Sequence, residues 1–239
     1  HDYVDGGSGD DVLMGDDLAG TGGHHGPGMF FKDSLVGGND VLLGGSGNDK
    51  MYGMAGIDSL YGQDGNDMMQ GGRDNDTLDG GAGVDMLDGG SGDDFLYGDA
   101  DNDTLIGQLG NDRLDGGDGI DVLNGGDGVD ILLGRAGHDF LAGGLGADTH
   151  TGGTGADTFQ FLASDLVTYS HPYLYGRTYQ SVETDRVTDF NAAEGDRIDL
   201  TSLMSKATNF QGTTAAQAMS QGYLYFVQQG ANTLVMLDR

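Results

Sequence analysis

The stretch GGAGVDMLD GGSGDDFLY GDADNDTLI GQLGNDRLD GGDGIDVLN, residues 80–124, is five nonapeptides in succession, each with Asp at its sixth place and a large apolar residue at its eighth. Extended both ways without a gap, the same register runs over residues 44–160 as thirteen copies of GGxGxDxUx, with U a large apolar residue. The sixth place is Asp in every copy: Asp49, Asp58, Asp67, Asp76, Asp85, Asp94, Asp103, Asp112, Asp121, Asp130, Asp139, Asp148 and Asp157. The eighth is apolar in twelve, from Met51 and Leu60 to Leu141 and Phe159, and His150 is the exception.

Upstream the pattern is looser. Residues 6–14 form a full copy with Asp11 and Leu13, and 37–43 lack two residues but keep Asp40 and Leu42. Residues 15–36 read as a copy interrupted by the insertion GTGGHHGPGMFF (20–31), after which Asp33 and Leu35 restore the register. So glycine-rich an insertion is expected to be an exposed loop, with Phe30 and Phe31 folding back on apolar neighbours.

Each part of the nonapeptide has a physical reason. Glycines at the first, second and fourth places allow positive φ and bring carbonyls close together without Cβ clashes. The three residues after Asp form a short strand, whose alternation points the eighth residue inward and the seventh and ninth outward. Two nonapeptides then make one coil of a flattened roll, and the turns of copies n and n+2 stack along each edge. A cation between stacked turns receives carboxylate and carbonyl oxygens from both. Ca²⁺ suits such a cage because it accepts about 6 to 8 oxygens at flexible geometry, whereas Mg²⁺ demands a stricter octahedron.

Composition agrees. Among 239 residues, 48 are Gly and only 36% are hydrophobic, too lean for an ordinary apolar core. The net charge of -29 excludes nucleic acid and anionic lipid as natural partners and calls for cations. Thirteen copies provide eleven n to n+2 pairings, and eleven divalent ions would offset most of the -29. Folding should therefore be coupled to calcium. Cysteine is absent, so neither disulfides nor thiolates can staple the fold. No apolar run reaches the roughly 18 to 20 residues of a membrane span, and the opening HDYVDGGSGD starts in mid-pattern, as a fragment of a larger protein would.

Other readings of the repeat fail on particular residues. A disordered Gly/Asp linker would not keep an apolar residue at one place in nine for over a hundred residues. Asp99, Asp101 and Asp103 imitate the start of an EF-hand loop, but Thr104 replaces its glycine and Gly110 stands where its bidentate Glu belongs.

Tandem copies such as GGSGNDKMY (44–52) and GGAGVDMLD (80–88) resemble the RTX (repeats-in-toxin) family of secreted proteins, over about two thirds of the chain. The resemblance implies an all-β fold, a right-handed parallel β-roll over 1–160 with a β-rich capping domain over 161–239. It implies export by type I secretion machinery of a Gram-negative bacterium and folding on extracellular calcium. It also implies that the sixth-place aspartates, together with Asp11, Asp33 and Asp40, bind multiple Ca²⁺ ions with backbone carbonyls from the first four places. Asp74 and Asp101, which replace the fourth-place Gly, depart from the pattern.

Beyond residue 160 glycine thins out, and TDRVTDFNAAEGDRIDLTSL (184–203) reads as two strands around an AAEGD turn. Asp185, Asp189, Asp196 and Asp199 there are either further metal ligands or solvated carboxylates. The tail GYLYFVQQGANTLVMLDR (222–239) alternates as a strand hairpin with a QGAN turn, and resembles the address read by type I exporters.

No HExxH, GxSxG elbow or cysteine nucleophile is present, so no enzyme is expected within these residues. His24 and His25 could hold a transition metal, although paired histidines on a glycine loop are more often merely solvated. Two roles compete: a structural module for surface assembly or adhesion, and the non-catalytic export and stabilising module of a secreted protease, lipase or polysaccharide epimerase. The outward seventh places Met68, Met86, Val122 and Phe140 make a nearly continuous apolar row on one face, which favours self-assembly. The aromatic loop SHPYLYGRTY (170–179) would either stack on cell-surface polysaccharide or pack on the roll.

Overall fold

The computed structural model describes residues 3–9, 11–15, 37–161 and 185–199, and the backbone alone of 29–30, 168–170, 178–180, 224–229 and 232–237. All regular elements among these residues are strands. From Val41 to Gly155 each strand of the repeats is six or seven residues long rather than three, because it runs on into the next nonapeptide, as in Met68–Arg73 and Thr104–Leu109, whereas Val12–Met14 and Thr158–Gln160 stay at three.

Among the described residues, successive strands of the roll alternate between two sheets in which they run parallel, one of ten strands and one of eleven that includes an antiparallel hairpin at its end. Within a sheet each residue lies beside the one eighteen positions away: Leu96 pairs with Leu114, and Leu105 with Leu123. Two nonapeptides therefore make one coil, and the apolar eighth places form a single stack between the sheets, a parallel β-roll. Leu60, Leu78, Leu87, Leu96, Leu105 and Leu114 are fully buried in it. His150 occupies the same stack, also fully buried.

At the beginning of the roll, Tyr3–Ser8 pairs directly with Val41–Ser46, and Val12–Met14 with Lys50–Ala55. No coil from residues 15–36 comes between them, so the register passes from Asp11 straight to Asp49, whose Oδ1 accepts the Asp11 N–H at 2.7 Å. Part of the insertion is not a loop: Met29–Phe30 is a strand alongside Val12 and Leu13. Asp33, Phe31, His24 and His25 lie outside the described residues.

At the other end, parallel stacking does not stop where the composition changes. Arg186–Val187 lies on Thr149–His150 in one sheet, and Arg197–Asp199 on Thr158–Gln160 in the other. The two strands expected around the AAEGD turn are thus the two halves of another coil, on opposite faces of the roll, and do not pair with each other. Leu224–Gln229 and Asn232–Leu237 form the expected antiparallel hairpin, which joins the edge of the first sheet through Val187 and Thr233. Of the aromatic loop, the structure describes only its flanks, Thr168–Ser170 antiparallel to Thr178–Gln180.

Candidate metal centre

The aspartates form two columns, one along each edge of the roll. Every sixth-place Asp from Asp49 to Asp157 is buried, with no more than 3% exposure. In each, Oδ1 accepts the backbone N–H of the Asp one coil earlier: Asp85 donates to Asp103 at 2.8 Å, and Asp103 to Asp121 at 2.9 Å. One column runs from Asp11 through Asp49, Asp67 and onward to Asp157, and the other from Asp40 to Asp148. The coil of residues 185–199 prolongs both, because Asp148 and Asp157 donate to Oδ1 of Asp185 and Asp196, each at 3.0 Å.

The second oxygen has no such use. Oδ2 of Asp11, Asp67, Asp76, Asp85, Asp94, Asp103, Asp112, Asp121, Asp130, Asp139 and Asp157 is buried and accepts no hydrogen bond. Leaving a buried ionised oxygen unsatisfied costs several kcal/mol, on the order of the desolvation of an unpaired charge. A column of such atoms is a demand for cations.

The first-place glycines show where those oxygens converge. A Cβ built on Gly134 would lie 2.5 Å from Asp139 Oδ2 and 2.5 Å from the Gly152 carbonyl. On Gly53 it would lie 2.5 Å from Asp58 Oδ2 and 2.7 Å from the Gly71 carbonyl. Room for this meeting of carboxylate and carbonyl, rather than a positive φ, is why glycine stands first; positive φ belongs to the second and fourth places. Where another residue takes those places, the conformation persists, as in Gln63 (φ 77), Asp74 (φ 71), Asp101 (φ 78) and Arg135 (φ 80).

Electrostatics point the same way. Burial first, and neighbouring carboxylates after it, push Asp76 up to about 8 and Asp103, Asp130 and Asp139 to about 7, against the lowering effect of the donated backbone N–H. Asp67, Asp85, Asp94 and Asp112 rise to about 6 for the same leading reason. Burial thus opposes ionisation of these carboxylates, and a cation beside them would favour the charged form. Hard, flexible oxygen cages of this kind suit Ca²⁺.

Two features escape a reading based on spacing alone. The fifth places carry a second, solvent-facing ladder: the Asn66 N–H donates to Asn48 Oδ1 at 2.7 Å, and the Ile120 N–H to Asn102 Oδ1 at 2.7 Å. The frequent Asn at this place was the available signal. Asp189, weighed as a metal ligand, instead accepts the N–H groups of Gly152 and Gly153 at 2.9 and 2.7 Å and so closes the turn of the last repeat.

A family model for the RTX calcium-binding nonapeptide repeat matches residues 1–21, 36–60, 61–96, 88–123, 115–150 and 124–159. No curated protein matches the chain. The match covers the stacked coils and both aspartate columns, and therefore the residues whose geometry calls for cations. The chain belongs to the RTX calcium-binding nonapeptide repeat family, and its repeats bind calcium at multiple sites.

Proposed function

We propose that the sixth-place aspartates, with Asp11 and Asp40, are the carboxylate ligands of calcium cages along both edges, and that the module folds when it meets extracellular calcium. The observation that carries this reading is the row of buried Oδ2 atoms without hydrogen bonds, of which those of Asp67, Asp112 and Asp130 meet the carbonyl of the next coil at a first-place glycine. Asp33 belongs to the same set by sequence. The role is structural and non-catalytic, since the aspartates are committed to their columns.

The biological setting we propose is a protein secreted by a Gram-negative bacterium through type I machinery, with the roll serving surface assembly or adhesion. Support comes from exposed apolar residues on the faces and edges: Met68, Met86, Val122 and Phe95 on the sheets, Val84, Ile120 and Val129 at the turns. Self-assembly would bury them.

The test is a calcium titration followed by far-UV circular dichroism and sedimentation velocity on the same samples. A cooperative gain of β structure with growth of larger species at the same midpoint is the expected result. Folding to a persistent monomer would favour the export and stabilising module of a secreted enzyme. Full structure in chelator would overturn the calcium-coupled mechanism.

A further inference from the structure

We propose that His150, Asp148 and Asp185 form a site for one transition-metal dication, of the Zn²⁺ class, at the last coil of the roll. A ring nitrogen of His150 and one carboxylate oxygen each from Asp148 and Asp185 lie within 4.8 Å of one another. His150 is fully buried, and neither of its ring nitrogens makes a hydrogen bond. Every other repeat places an apolar residue here, nine of the thirteen a leucine, so packing alone gives no reason for an imidazole.

Neighbours fix the ring toward the carboxylates. Phe159 meets it edge-on with centroids 6.3 Å apart, Phe161 lies at 5.5 Å, and Val187 stacks beside it in the sheet. Asp185 is brought over Asp148 by the N–H that Asp148 donates to its Oδ1 at 3.0 Å. Ordinarily a histidine in an apolar core satisfies at least one ring nitrogen; this one presents both without a partner, beside two acids.

The donor set discriminates between ions. Calcium takes oxygen ligands and has little use for imidazole, whereas zinc and its neighbours favour nitrogen with carboxylate oxygen. An imidazole ring nitrogen supplies the lone pair that such an ion takes. Asp185 is only half-buried, so the cluster has solvent beside it for a water as further ligand. The site differs from the calcium cages in its imidazole donor but shares Asp148 with their column; it exists only when the last coil is folded and in that sense rests on the calcium reading.

The experiment uses the whole chain, saturated with calcium, dialysed against Zn²⁺ and examined by X-ray absorption at the zinc edge, beside His150→Leu. One retained zinc per chain is expected, with one imidazole and otherwise oxygen ligands. His150→Leu restores the residue of most other repeats, so it should keep the calcium-induced dichroism and lose the zinc. No zinc retained by the folded wild type, a spectrum with two imidazoles or none, or equal retention by His150→Leu would each overturn the site. A wild-type chain that gains no β structure in calcium would overturn the calcium reading as well, and is recognised before zinc is added.

Discussion

Asp103 shows how one side chain serves two purposes: Oδ1 accepts the Asp85 N–H, while Oδ2 is left for a cation. Asp103→Asn keeps the acceptor and replaces Oδ2 by a donor, so it should lower the calcium stoichiometry by at least one and raise the midpoint while the calcium-loaded roll still forms. Asp103→Ala should cost a further ~1–3 kcal/mol, because it also strands the buried Asp85 N–H. Unchanged stoichiometry by equilibrium dialysis in the Asn variant would refute the assignment. The raised carboxylates add a dependence on pH. A group that binds its proton more tightly folded than unfolded stabilises the metal-free roll below its unfolded value of 3.8, and that stability is lost as pH rises through about 6 to 8. In chelator, acidification toward pH ~4 should therefore raise the β signal in circular dichroism. In calcium the sign reverses, since binding needs the ionised form: the midpoint should move to higher calcium as pH falls from about 8 to about 6. A midpoint independent of pH would show that these carboxylates do not exchange protons for metal.

One element of the roll contributes a single fully buried side chain to the core, and this thinness makes each one count. Leu105→Ala should lower the stability of the calcium-loaded protein by about 2–5 kcal/mol, because the parallel neighbours Leu87 and Leu123 are held by their own ladders and cannot close the void. Met86→Ser, on the outward seventh place, should stay within ~0.5 kcal/mol of wild type; chemical denaturation at fixed free calcium compares the two. The same alternation explains why so much was legible from the residues alone. A period of nine with Asp at six and an apolar residue at eight specifies which side chain faces inward, and hence the half-coil and its eighteen-residue register. Legibility failed where tertiary pairing overrides local spacing. DRV and DRI at 185–187 and 196–198 keep the Asp-x-apolar kernel, but their glycine turns are gone, so only the stacking of Val187 on His150 and Ile198 on Phe159 reveals them as a coil. The skip from Asp11 to Asp49 was hidden for the opposite reason: residues 33–36 imitate a repeat in sequence, yet the sheets close without one.

Among the described residues the roll is close to one-dimensional, because each coil pairs with the coil before and after it. Stability in such a stack is approximately a sum of unit terms and nearest-neighbour couplings. In the proposed cages calcium would strengthen the couplings twice over, by bridging turns of adjacent coils and by offsetting a net charge of -29 that otherwise drives them apart. A lesion in one cage should thus act according to its position. Gly98→Ala places a methyl among Asp103 Oδ2 and the Gly116 carbonyl, 2.5 Å from the latter, in the middle of the roll. Gly152→Ala crowds Asp157 in the same way in the last repeat. At limiting calcium, where the couplings decide cooperativity, Gly98→Ala should split the thermal transition into two, as the coils on either side melt independently. Gly152→Ala should leave one transition at a slightly lower temperature, because it detaches only the end of the stack. Calorimetry at a fixed low free calcium distinguishes them, and saturating calcium should merge the split transition again as the remaining cages pull both halves above the same temperature. One sharp transition for both variants at every calcium concentration would mean that the roll melts as a single unit through coupling that nearest-neighbour stacking does not supply.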